Sequence, residues 1–181
     1  MKKNILVFGA SNSKQSINAR FAWFAANQLE NIKTTFVDLN DFELPLYSVD
    51  LERESGIPEN AVRFAELIKE CDGVVASFAE HNGLFTSAFK NLWDWMSRIN
   101  SANIWRDKPM FFLSASVSRR KQNYVTKVGN ELFPHYGAQI VSSFYLSSFN
   151  HTFKENQIID PDLKTAFEAK LTQYQTFLNN L

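Results

Sequence analysis

The stretch Asn4-Ile5-Leu6-Val7-Phe8-Gly9-Ala10-Ser11-Asn12-Ser13-Lys14-Gln15-Ser16-Ile17-Asn18 decides the fold class. Its first five residues form a short apolar run bounded by Gly9, the pattern of a strand buried on both faces in a parallel sheet. From Ile17 to Leu29 apolar residues recur at Phe21, Ala22, Ala25 and Leu29, which is helical spacing. Between strand and helix lies a loop of hydroxyls and amides, into which the helix aims unpaired N–H groups and the positive end of its dipole. Ser11, Ser13, Ser16 and Asn18 add side-chain donors to the same space, so the loop suits an anion and points to a phosphorylated cofactor. A dinucleotide fingerprint needs three spaced glycines and only Gly9 is present; Lys14-Gln15-Ser16 lacks the glycines of a triphosphate loop. Serine hydroxyls in place of glycine backbone suit a single terminal phosphate, as in flavin mononucleotide (FMN). The structural alternative is that Ser16 or Asn18 merely caps the helix.

The chain has 181 residues, the length of one domain spanning 1–181 with a full core. Its 19 basic and 19 acidic residues cancel, so no global field draws it to nucleic acid or to an acidic membrane. A single cysteine, Cys71, excludes an internal disulfide, and no apolar run has the length of a membrane span or opens the chain as a secretory signal; the expected location is cytoplasmic. No metal-ligand spacing of His and Cys and no Ser-His-Asp set on strand-end loops is present, so neither a metal site nor a catalytic side chain is assigned. Seventeen phenylalanines are the unusual count and point to an aromatic core, a flat-ligand pocket or a subunit interface.

Strand patterns at 4–8, 34–38, 73–78, 110–114 and 139–145 alternate with helical patterns at 17–29, 59–69, 86–99, 121–133 and 161–179. That alternation predicts an α/β, flavodoxin-like three-layer sandwich: a five-stranded parallel sheet in the order 2-1-3-4-5 with helices on both faces. Ligands of such sheets bind beyond the carboxyl ends of the strands, beside the first and third. There the third strand runs into Ala79-Glu80-His81-Asn82-Gly83-Leu84, placed to line a pocket. Gly83 permits a positive φ and close backbone approach, Asn82 offers donors and acceptors to a planar ring, and His81 is positioned to stack on it. The alternative is a polar surface turn in which Asn-Gly serves turn geometry. The fourth strand ends in hydroxyls, Ser114 and Ser116, followed by Arg119-Arg120-Lys121, a candidate receiver for a nicotinamide phosphate or simply a solvated helix end. In the helix at 86–99, Phe89, Trp93 and Met96 form one stripe and Lys90 and Asp94 are spaced for an ion pair. Trp95 lies off that stripe, which suggests that it and Trp105 meet a second subunit.

These loops together resemble those of the NAD(P)H-dependent FMN reductase family, whose first loop reads Gly-Ser-x-Arg-x-x-Ser-x-Asn and whose second reads Pro-Glu-Tyr-Asn-Gly-Ser. Leu44-Pro45-Leu46-Tyr47, Cys71-Asp72-Gly73-Val74-Val75 and Phe89-Lys90-Asn91-Leu92-Trp93-Asp94-Trp95 extend the resemblance over most of the chain. It implies that Ser11, Ser13, Ser16, Ile17 and Asn18 hold the FMN phosphate and ribityl, that Ala79, Glu80, His81, Asn82 and Gly83 line the ring, and that the third loop, with Ser114 and Ser116, closes on it. Departures are Ala10 for the usual glycine, Ser13 for the arginine, Ala79 for the proline, His81 for the tyrosine and Leu84 for the final serine. Losing the arginine removes a charged hydrogen bond worth ~1.5–3 kcal/mol. The expected activity is transfer of hydride from NADPH or NADH, through FMN, to a small-molecule acceptor: a flavin, quinone, azo compound or similar electron-poor aromatic. A homodimer or tetramer is the expected assembly. The alternatives are an FMN-binding electron carrier that does not oxidise nicotinamide, and a flavin-free member of the fold.

Overall fold

β1 (Lys3–Ala10) enters the middle of the sheet because Ile5, Leu6, Val7 and Phe8 are apolar on both faces, and all four are fully buried. A computed structural model describes residues 2–100 and 103–181. In chain order β1 is followed by α1 (Ile17–Ala26), β2 (Ile32–Val37), α2 (Val49–Ser55), α3 (Glu59–Glu70) and β3 (Gly73–Phe78). A two-stranded hairpin, β4 (Glu80–His81) and β5 (Leu84–Phe85), leads to α4 (Ser87–Ile99) and β6 (Lys108–Ala115). Then come α5 (Tyr124–Leu132), β7 (Ala138–Leu146), α6 (Phe149–Thr152), a second small hairpin of β8 (Phe153–Lys154) and β9 (Gln157–Ile158), and α7 (Pro161–Asn179).

The main sheet is parallel throughout, in the order β2-β1-β3-β6-β7, which is the expected 2-1-3-4-5 arrangement of a flavodoxin-like fold. Two apolar clusters fill its faces. Phe8, Phe64, Phe78, Phe89, Phe112 and Phe133 pack with α3, α4 and α5 on one side, and Phe21, Phe111, Phe144, Phe167 and Tyr174 pack with α1 and α7 on the other. Rings interlock across each layer, Phe78 stacking on Phe112 at 4.4 Å and Phe21 meeting Phe167 at 5.8 Å. The many phenylalanines are therefore mainly core. Cys71 ends α3, 1% exposed, its thiol donating to the Ile68 carbonyl at 3.2 Å. Burial pushes its pKa up to about 11. Among the described residues no helix is long and apolar enough to cross a membrane.

The elements depart from expectation in several places, the first helix ending at Ala26 rather than at residue 29. The helix expected at 121–133 is α5, which begins at Tyr124 because Asn123 caps it by accepting from the Thr126 N–H at 3.0 Å. α2 was not expected at all. Trp95 and Trp105 do not face a partner: both are fully buried within their own chain. The strap that follows β2 covers Trp95, whose Nε1 donates to the Pro45 carbonyl at 2.8 Å and whose ring meets Tyr47 edge to face at 5.0 Å. Trp105 stacks on Phe133 at 5.0 Å. Asn91 fastens the same strap, accepting from the Tyr47 N–H and donating to the Leu44 and Pro45 carbonyls.

Candidate functional site at the carboxyl edge of the sheet

The β1–α1 loop is organised by its own serines. Ser11 Oγ accepts from the Ser13 N–H at 3.2 Å, Ser13 Oγ from the Gln15 N–H at 3.3 Å, and Ser16 Oγ from the Ala19 N–H at 3.1 Å, which makes Ser16 the N-cap of α1. The capping alternative is thus real, yet it uses only the acceptor side of each hydroxyl. None of the three O–H groups has an acceptor among the described residues, although Ser11 and Ser16 are only 7% and 8% exposed. The N–H groups of Ile17 and Asn18, in the first turn of α1, also have no acceptor there. Clustered donors with no acceptors among them, the Ser11 and Ser16 hydroxyls nearly buried and Ser13 at the surface, are the chemistry that binds an oxyanion.

Not every sequence-assigned side chain faces this space. Asn18 is 2% exposed and is spent as a brace: Nδ2 donates to the Ala115 carbonyl at 3.0 Å, and Oδ1 accepts from Ser77 Oγ at 2.7 Å and the Ala115 N–H at 2.8 Å. One amide thereby fixes α1 to the ends of β3 and β6. Ser114 is fully buried, donating to the Phe78 carbonyl at 2.7 Å and accepting from Asn123 Nδ2 at 2.6 Å. Asn18 keeps only its backbone N–H without a partner; the Ser114 hydroxyl is fully engaged.

Asn82 and Gly83, at φ 53° and 85°, make the two-residue turn of the β4–β5 hairpin, the geometry that Asn-Gly is selected for. That turn raises His81 and Asn82 into solvent at the sheet edge, while Ala79 sits buried below them. Glu80 points away from the turn and clasps the third loop. Its carboxylate accepts from Arg120 Nη2 at 2.6 Å and from the N–H groups of Tyr124 at 2.6 Å and Val125 at 3.3 Å, the first turn of α5. Arg120 is therefore committed to Glu80, and Arg119 and Lys121, exposed like it, are the cations of the basic trio with no ion pair among the described residues. Ser116 is half-buried, with its Oγ accepting from the Ser118 N–H at 3.0 Å. Beneath it on β7 lies the Tyr145 hydroxyl, buried without a hydrogen bond of good geometry; burial raises its pKa. Sequence reading passed over Glu80 as a clasp and Tyr145, whose long-range partners and burial carry no local signal.

The chain matches the family described as NADPH-dependent FMN reductase over residues 3–152. Quinone reductase of Escherichia coli (strain K12) is 30% identical to it over 101 residues, covering 54% of this chain and 53% of that protein. For 2-hydroxy-1,4-benzoquinone reductase of a Burkholderia species the identity is 32% over 118 residues, covering 65% and 62%. The chain thus spans between about half and three fifths of the length of these relatives. Among solved structures, the flavoenzyme NAD(P)H:(acceptor) oxidoreductase FerB from Paracoccus denitrificans superposes with a TM-score of 0.73 over 98% of both chains at 20% identity, a likeness of fold.

Proposed function

The chain belongs to the NADPH-dependent FMN reductase family, and from that premise we propose that it oxidises NADPH or NADH through bound FMN and passes the electrons to a small electron-poor acceptor, with quinones first among them. The observation that carries this reading is the set of serine O–H and α1 N–H donors without acceptors in the first loop, a fit for the FMN phosphate. When bound, the flavin accepts hydride from the nicotinamide and returns electrons to the acceptor, so no nucleophilic side chain is required. Ser11, Ser13 and Ser16 would donate to the phosphate with the N–H of Ile17. Ala79, His81, Asn82, Gly83 and Ser116 would border the ring. Glu80 acts at one remove, holding the second and third loops at a fixed separation through Arg120 and the start of α5. His81, exposed on the hairpin, would donate a proton to an acceptor that arrives there.

The choice of quinones follows the names of the relatives. The cytoplasm suits a chain whose one cysteine has no disulfide partner. With Trp95 and Trp105 buried, a homodimer or tetramer would use the apolar groove of about 470 Å³ where Leu46, Tyr47, Leu84, Trp93, Val128 and Tyr136 line α4 and α5. Sedimentation at micromolar concentration should give at least a dimer; a monomer removes that assembly. The activity is tested by incubating the protein with FMN, removing free ligand and adding NADPH or NADH without air. Retained yellow flavin that bleaches within seconds is the expected result. Flavin that is retained but not bleached would make the chain a carrier, and no retained flavin would overturn the reading.

A further inference from the structure

The Tyr145 hydroxyl is buried under the third loop without a hydrogen bond of good geometry, and a buried polar atom of that kind calls for a reason. β6 and β7 pair in parallel with Ser114 opposite Tyr145. Beyond that pair Ser116 is held by its main chain, its N–H donating to the Leu146 carbonyl at 3.0 Å and its carbonyl accepting from the Phe149 N–H at 2.9 Å. Residues two apart on a strand share a face, so Ser114, Ser116 and Tyr145 stand on one side of the sheet. The Ser114 hydroxyl is spent on the Phe78 carbonyl and Asn123. The Ser116 hydroxyl is the side-chain group that lies beside the Tyr145 oxygen.

The lone pairs and protons available fix the direction of a bond between the two. Ser116 Oγ has two lone pairs and one proton, and one lone pair already takes the Ser118 N–H at 3.0 Å. Were Ser116 to donate to Tyr145, the phenolic proton would stay buried without an acceptor, the arrangement that folded proteins avoid most. With Tyr145 donating to Ser116, the phenol is satisfied and both lone pairs of Ser116 are filled from inside the protein. The serine's own proton is then its one remaining capacity, on the half-exposed side of the loop. Burial raises the Tyr145 pKa, so the phenol keeps its proton through the neutral range. Ser118 is filled in the same way, its Oγ accepting from the N–H and the Nε of Arg120 at 3.2 and 3.3 Å.

We propose that Tyr145 is a positioning residue: by donating to Ser116 it makes that serine a donor only, set to meet an acceptor atom of the ligand bordering the third loop. This deepens the flavin reading and rests on it, because that reading puts Ser116 at the border of the ring. On an isoalloxazine the pyrimidine edge carries such acceptors, two carbonyl oxygens and N1, whereas the dimethylbenzene edge carries none. These atoms gain negative charge when the ring takes up electrons, so a fixed donor beside them holds reduced FMN more tightly than oxidised FMN.

The test is the two-electron potential of bound FMN, measured without air against a reference dye, with the affinity for oxidised FMN, in the native chain, Tyr145→Phe, Ser116→Ala and the double variant. Ser116→Ala should weaken the binding of reduced relative to oxidised FMN about 10-fold, which lowers the potential by about 30 mV. Tyr145→Phe, still holding oxidised FMN within about 2-fold of the native affinity, should weaken it at least about 3-fold, or about 14 mV. In the Ser116→Ala background the same substitution should add nothing, because Tyr145 acts through that serine. An unchanged potential in FMN-loaded Tyr145→Phe overturns the proposal and leaves the tyrosine a packing residue. A shift of equal size with and without Ser116 overturns it as well. Should Tyr145→Phe fail to fold, an unchanged potential in Ser116→Ala is the overturning result. A native chain that retains no FMN overturns the flavin reading itself, and the role of Tyr145 with it.

Discussion

Asn18→Ala is expected to lower the melting temperature by roughly 6–20 °C and to release bound flavin. The substitution leaves three buried groups without partners: Ser77 Oγ and the N–H and carbonyl of Ala115. An orphaned buried group costs about 1–3 kcal/mol and water entering from the loop edge recovers part of that, so the three together cost about 3–5 kcal/mol, and about 2–4 °C accompanies each kcal/mol in a domain of this size. The second effect follows from place. Asn18 ties the first turn of α1 to the ends of β3 and β6, so its loss loosens the elements from which all three ligand-edge loops spring. Thermal unfolding followed by circular dichroism, with FMN retention on a desalting column, measures both. A melting temperature within 2 °C of the native value would show that the brace is dispensable.

Gly9→Ala should be as damaging for a steric reason. A Cβ at Gly9 would come within 3.0 Å of the N, Cα and Cβ atoms of Ala19. Two of those are backbone atoms of α1, so no rotamer change relieves the contact and the helix must move off the strand. Overpacking a core costs about 1–3 kcal/mol when side chains can yield; here the cost should reach 3 kcal/mol or more. The expected product is insoluble, or folds with flavin affinity at least 10-fold weaker, as judged by yield and by FMN titration. A soluble, native-like, FMN-binding Gly9→Ala protein would mean that α1 tolerates displacement without disturbing its loop.

The five main strands were legible because each is a short apolar run bounded by turn residues, and the sheet order followed from their alternation with helices. α2 was not legible, since Val49–Ser55 buries no residue and offers no apolar stripe, although Ser48 as its N-cap and Gly56 at φ 74° are ordinary end signals. Trp95 misled for the opposite reason. Helical periodicity places it off the stripe of Phe89, Trp93 and Met96, and only the strap of residues 44–47, folded back from β2, shows what covers it. At the site, residue types and loop positions were readable, but the use of each polar atom was not. Asn18, Ser114 and Glu80 find main partners between 36 and 97 residues away, and no local pattern distinguishes a hydroxyl kept for a ligand from one spent on a carbonyl. The serines of the first loop differ in that their partners are two or three residues along the chain, within reach of local reasoning.

The buried end of α3 has a bearing on toxicity. Quinones, the acceptors proposed above, are electrophiles that arylate thiolates, and a protein that reduced them would be exposed to its own reagent. With its pKa pushed to about 11, Cys71 is ionised to roughly one part in 10⁴ at pH 7, and at 1% exposure it is shielded from solution. The only sulfhydryl of this chain is thereby hidden from self-inactivation by conjugate addition, so long as the helix end above it stays closed.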